Sequence, residues 1–123
     1  MNKTALQRAL DLPQSAERLA RVFERIVFPL LAMPERVSEA GGLAVRVFVY
    51  HALNLRGTGV LLPLVRSFTK LLAVGNEDDK EAVVQRLIVC LRVAHGSDPD
   101  EFGQAAAYLD DQLTEGWRDL LLV

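Results

Sequence analysis

The chain has 123 residues, half of them apolar but only 7% aromatic, with a formal net charge of −2. This length suits one domain around a single aliphatic core, and a lone cysteine excludes an internal disulfide and a cysteine-built zinc site. Charge and proline cut every apolar run well short of the ~18 residues that a membrane span requires, so a transmembrane role is not expected.

In chain order, Leu6, Ala9 and Leu10 predict a short amphipathic helix ending near Asp11-Leu12-Pro13, because proline disfavours helix in the residue before it. Ser15 can cap a second helix. Its apolar residues Leu19, Val22, Phe23, Ile26 and Val27 share one face, and Pro29 is expected to end or kink it. A short helix fits between Pro34 and Gly41-Gly42, with the glycines as its end.

Leu43 to Leu55 is ambiguous, since Val45, Val47 and Val49 alternate as in a strand. Arg46, Tyr50 and Asn54 recur every four residues, which on a helix makes one exposed stripe, so the segment is read as a central buried helix. Arg56-Gly57-Thr58-Gly59 reads as a turn. Pro63 suits the first turn of the next helix, whose stripe is Leu64, Val65, Phe68, Leu71 and Leu72, with Gly75-Asn76 as its stop.

Asp78 or Asp79 is expected to cap the following helix. Its stripe of Val83, Val84, Leu87, Ile88, Cys90, Leu91 and Ala94 is broad enough to need cover on most sides, and His95-Gly96 should end it. The clearest helix start is Asp98-Pro99-Asp100-Glu101, with an acidic cap, proline at the first helical position and glutamate at the third. Phe102, Ala105, Ala106, Leu109 and Leu113 follow at helical spacing. Trp117, Leu120 and Leu121 continue that stripe past Gly116, so the last helix is expected to run nearly to the end.

The small net charge conceals a split at about residue 72. The front carries ten cations against five anions, and the back four cations against eleven anions. If the halves face different ways, such a molecule can dock front to back on copies of itself or on a similarly built partner. Arg18, Arg21 and Arg25, on the polar side of their helix, are the candidate basic contact. Asp78, Asp79, Asp110 and Asp111 are the candidate acidic one.

No catalytic motif emerges. Cys90 lies in an apolar stripe, and His95, five residues on, points elsewhere on a helix, so a nucleophile pair is not expected. His51 and His95 are isolated and make no metal site. Adjacent Asp110 and Asp111 diverge, against a paired-carboxylate acid–base site. Gly57-Thr58-Gly59 lacks the Gly-Lys-Ser/Thr of a phosphate loop. Glu77 to Glu81 lacks the alternating oxygen ligands of a calcium loop. No cofactor or small-molecule ligand is implied, and no secretory pattern opens the chain, so the cytoplasm is the expected location.

From Leu6 to about Asn76 the chain also carries a recognisable order of pieces. These are the opening Leu6-x-x-Ala9-Leu10, the Ser15-to-Val27 amphipathic helix, a short helix before Gly41-Gly42, an apolar helix ending Ala52-Leu53-Asn54-Leu55-Arg56-Gly57, then Leu61, Leu62, Val65 and Gly75-Asn76. In this it resembles the bacterial effector-associated domains, helical modules related to the death-like fold of caspase-recruitment and death domains. The helix over 80 to 94 would be the sixth of that fold.

The resemblance implies a death-like unit over 1 to 95; with the further helix read over 98 to 123, which departs from that six-helix pattern, the expectation is one all-α domain, a bundle of six to seven helices. The resemblance also implies a non-catalytic adaptor in bacterial defence or signalling that pairs with similar helical modules. The alternative is a small helical subunit of a nucleic-acid complex using the same arginines on phosphate, which the overall acidic balance and the scarcity of aromatics disfavour.

Overall fold

The computed structural model describes Arg8 and residues 15–33, 37–74, 77–113 and 116–122. The protein is all-helical, with no strand among the described residues. Between Ser15 and Leu122 the described residues form six α-helical segments: α1 (Ala16–Val22), α2 (Phe28–Leu31), α3 (Val37–Tyr50), α4 (Leu61–Val74), α5 (Glu77–Ser97) and α6 (Pro99–Gln112). A π turn (Phe23–Val27) joins α1 to α2, and a 3₁₀ helix (Trp117–Leu122) follows α6. The opening helix expected around Leu6 to Leu10 lies outside the described residues apart from Arg8, and so does the Gly75-Asn76 stop. No described helix is long and apolar enough to cross a membrane.

The amphipathic stripes read from the sequence build one core. Leu19, Phe23 and Val27 from the first segments, Leu64, Val65 and Phe68 from α4, Cys90 and Leu91 from α5, and Ala105 and Leu109 from α6 are all essentially inaccessible and belong to one buried cluster. α5 is the centre of the bundle. It packs on α3, α4, α6 and the 3₁₀ helix, which accounts for the breadth of its apolar stripe.

Two local starts follow the sequence reading closely. Ser15 caps α1, its Oγ accepting the amide N–H of Arg18 at 3.1 Å. Asp98 caps α6, with Pro99 beginning the helix and the Glu101 amide donating to Asp98 Oδ1 at 3.2 Å. The Leu43–Leu55 segment is helical as far as Tyr50. Residues 51–57 then form turns, with Gly57 and Gly59 at φ +77° and +79°.

Four expectations are corrected. Of the two outcomes expected at Pro29, ending or kinking the helix, the first does not occur: the Phe28 amide bonds back five residues to Phe23, and the chain continues helically through the proline to Leu31. A π turn directly before a proline accommodates the missing N–H by shifting the bonding register. Gly41-Gly42 is not a helix end either, but lies inside α3, where Arg86 of α5 crosses it. A Cβ on Gly41 would sit 2.6 Å from Arg86 Nη1, so the glycine opens the space that this side chain fills.

The third correction concerns Asp78 and Asp79. α5 begins at Glu77, which puts both aspartates within its first turn rather than at its cap, and α5 runs on through His95-Gly96 to Ser97. Finally, the last helix stops at Gln112, where Leu113 turns extended, and Gly116 adopts φ +91° before the separate 3₁₀ helix begins. Trp117 continues the apolar stripe in sequence but reaches the core from this second element.

Candidate interaction surface

Arg18, Arg21 and Arg25 come from one continuous helical stretch, α1 and the π turn. The structure brings all three to the rim of a single shallow depression of about 170 Å³, with Val22 and Ile26 completing its lining. Arg21 and Arg25 are exposed and Arg18 is partly buried. Arginine forks around a small apolar floor suit a carboxylate carried on an aliphatic or aromatic stem, since guanidinium binds carboxylate through two parallel N–H donors.

The four candidate aspartates are not one site. Asp79 is partly buried in the first turn of α5, and Asp78 shares that turn with its side chain outside the described set. Asp110 and Asp111 close α6 instead. Asp111 is exposed, but Asp110 is committed within the molecule. Its Oδ1 accepts the Trp117 indole N–H at 2.9 Å, and its Oδ2 accepts Arg118 Nη2 at 2.9 Å. These bonds, that from Arg118 foremost, hold its carboxyl below the usual aspartate range. Arg118 also lies over the Trp117 ring, 5.1 Å from its centroid, and Arg92 Nη2 donates to the Leu120 carbonyl at 2.9 Å, so the 3₁₀ helix is pinned at three points.

Cys90 is fully buried, and desolvation pushes its thiol up to about 12, the opposite of what a thiolate nucleophile needs. His95 is exposed and stands edge-on to Phe102, 5.0 Å between centroids. His51 packs edge-on to Tyr50 at 4.8 Å. Among the described residues no group of three or more His, Cys, Asp or Glu side chains is placed to hold a metal ion.

Some surface features were not legible in the sequence. Leu53 is 78% exposed beside Tyr50 at 83%, in the turns that follow α3 and on the side where Arg46, Val49 and Tyr50 are also exposed. A groove of about 260 Å³ opens between α4, α5 and the 3₁₀ helix, with Leu72, Ile88 and Trp117 among its walls. Asp98 reaches beyond its own helix as well: Oδ2 accepts the Gly57 amide at 2.7 Å, across 41 residues of sequence. No protein-family model, curated protein or solved structure matches this chain.

Proposed function

We propose that this chain is a non-catalytic protein-interaction module that binds an acidic protein surface, on a second copy or on a similar helical partner, through the arginine-rimmed depression of α1. The observation that carries this reading is the convergence of Arg18, Arg21 and Arg25 on one depression with a floor of Val22 and Ile26. A small apolar floor with a charged rim has the composition expected of a contact site. The acidic back half supplies a complementary surface on a second copy, and exposed Asp111 is better placed to contribute than Asp110, which is held by Trp117 and Arg118. The resemblance of the sequence to the effector-associated domains implies the same role, that of an adaptor in bacterial defence or signalling, although the two pieces divided at Gly41-Gly42 in that pattern are here the single helix α3.

Light scattering across concentration at ~50 mM and ~500 mM salt tests it, because added salt shortens the screening length between exposed charges. Association that grows with concentration, fades at high salt and is lost in Arg18→Gln/Arg21→Gln/Arg25→Gln is the expected result. Asp79→Asn/Asp111→Asn should weaken it in the same way. A monomer throughout, with oligonucleotide binding that the arginine triple abolishes and the aspartate pair leaves intact or strengthens, would move the arginines to phosphate recognition.

A further inference from the structure

Two apolar features stand apart on the surface. Tyr50 closes α3 and Leu53 follows it in the turns, both largely exposed, and His51 sets its ring edge-on to Tyr50 at 4.8 Å. Together they make an apolar knob. The second feature is the groove of about 260 Å³ walled by Leu72 of α4, Val84 and Ile88 of α5, and Trp117 and Leu120 of the 3₁₀ helix.

The two belong to different ends of α6. Asp98 at its start accepts the Gly57 amide at 2.7 Å, beside the knob, whereas Asp110 near its end accepts the Trp117 indole N–H at 2.9 Å, at the groove. At ~1.5 Å per residue, about 18 Å of helix separates those two anchors. A knob does not reach the groove of its own molecule.

Their charged surroundings are opposite in sign. Arg46 stands one turn before Tyr50 on the exposed side of α3, and exposed Arg56 follows Leu53. At the groove, exposed Glu81 lies on the face of α5 that carries Val84 and Ile88. Asp119 Oδ2 is 3.8 Å from where a Cβ would stand on Gly116, itself part of the groove wall. The cations near this end, Lys80, Arg92 and Arg118, are engaged within the molecule. Size fits as well. An apolar cavity of about 150 Å³ is enough to hold benzene, so the groove has room for the Tyr50 ring with Leu53 against its lip.

We infer that the Tyr50–Leu53 knob of one copy docks in the Trp117 groove of the next, with Arg46 and Arg56 meeting Glu81 and Asp119. The inference rests on the reading that this chain associates with its own kind, but it uses a surface that contains none of Arg18, Arg21 and Arg25. Each molecule offers one knob and one groove, so the contact is heterologous and does not stop at a symmetric dimer. A solvent-exposed apolar patch rimmed by charge is the expected form of such a surface before it is covered.

The test uses the full chain carrying Arg18→Gln/Arg21→Gln/Arg25→Gln, so that the arginine-rimmed depression takes no part. Light scattering up to ~1 mM, the range of a small contact, should give a mass that rises above one copy. In that background Tyr50→Ser/Leu53→Ser at the knob and Leu120→Arg at the groove should each weaken association on the order of tenfold or more. Mixed in equal amounts, the two variants bring together one intact knob and one intact groove. A species of two copies and no larger should then form, and the Trp117 emission of the mixture should differ from the sum of its parts. Glu81→Arg/Asp119→Arg, both at exposed positions, takes the place of Leu120→Arg if that variant loses its helical dichroism. A background that stays monomeric at every concentration overturns the inference, and the arginine reading then stands or falls on the parent protein. A mixture that stays monomeric overturns it too, as does a knob variant that associates as well as its background.

Discussion

Gly41 and Gly42 are neighbours in α3, yet an added methyl group meets different surroundings at each. At Gly41 it would come within 2.6 Å of Arg86 Nη1 and 3.4 Å of Arg86 Cδ, whereas at Gly42 its nearest approach is an ordinary 3.4 Å to Nη2. Alanine in a helix interior gains up to about 1 kcal/mol over glycine. Gly42→Ala should therefore raise stability by about 0.5–1 kcal/mol in urea unfolding. Gly41→Ala should gain little or lose, since the Arg86 head group must leave its place over α3. The same substitution in an Arg86→Ala background should recover the full gain, a coupling that a double-mutant cycle reads directly. Equal gains at both glycines in the parent protein would mean that Arg86 does not constrain the crossing of α5 over α3. The sequence showed the glycine pair but not its use, because the partner lies more than forty positions away. The basic ridge was legible, since Arg18, Arg21 and Arg25 are positioned by one helix alone.

At the scale of elements, what the sequence made legible was whatever depends on a few consecutive residues. The caps at Ser15 and Asp98 and the turn at Gly57 to Gly59 are local chemistry, and they are where the sequence placed them. Breaks governed by tertiary packing were read in the wrong place. Pro29 is carried through a π turn because Phe23, Val27 and Leu31 are all drawn into the core, and Trp117 is held by Asp110 across a break that no period reveals. That hold makes the 3₁₀ helix testable by itself. Asp110→Ala removes the acceptor of both the indole N–H and Arg118, and Trp117 is the sole tryptophan. Its emission should shift to the red in Asp110→Ala at temperatures far below unfolding, while helical circular dichroism stays near the parent value. Unchanged emission would show that burial against α5 holds Trp117 without the carboxylate.

Across the whole molecule, the question is whether α6 and the 3₁₀ helix are an addition to a self-sufficient bundle or part of its core. Ala105, Ala106, Leu109 and Trp117 belong to the same buried cluster as Phe23, Leu64 and Phe68, and α6 packs on both α4 and α5. Tyr108 strengthens that seam: its hydroxyl is 3.1 Å from Thr69 Oγ1, and Arg66 lies 5.3 Å from its ring centroid. A domain of this size with one core unfolds as one unit, and removing a fully buried leucine side chain costs about 2–5 kcal/mol. Leu109→Ala should accordingly lower the stability of the whole chain by an amount in that range. Far-ultraviolet dichroism, which averages over all the helices, and Trp117 fluorescence, which reports on the C-terminal end, should give coincident urea transitions in both parent and variant. If fluorescence unfolded first and the dichroism midpoint did not move, α6 and Trp117 would be a separately melting layer. The earlier helices would then be the unit that folds alone.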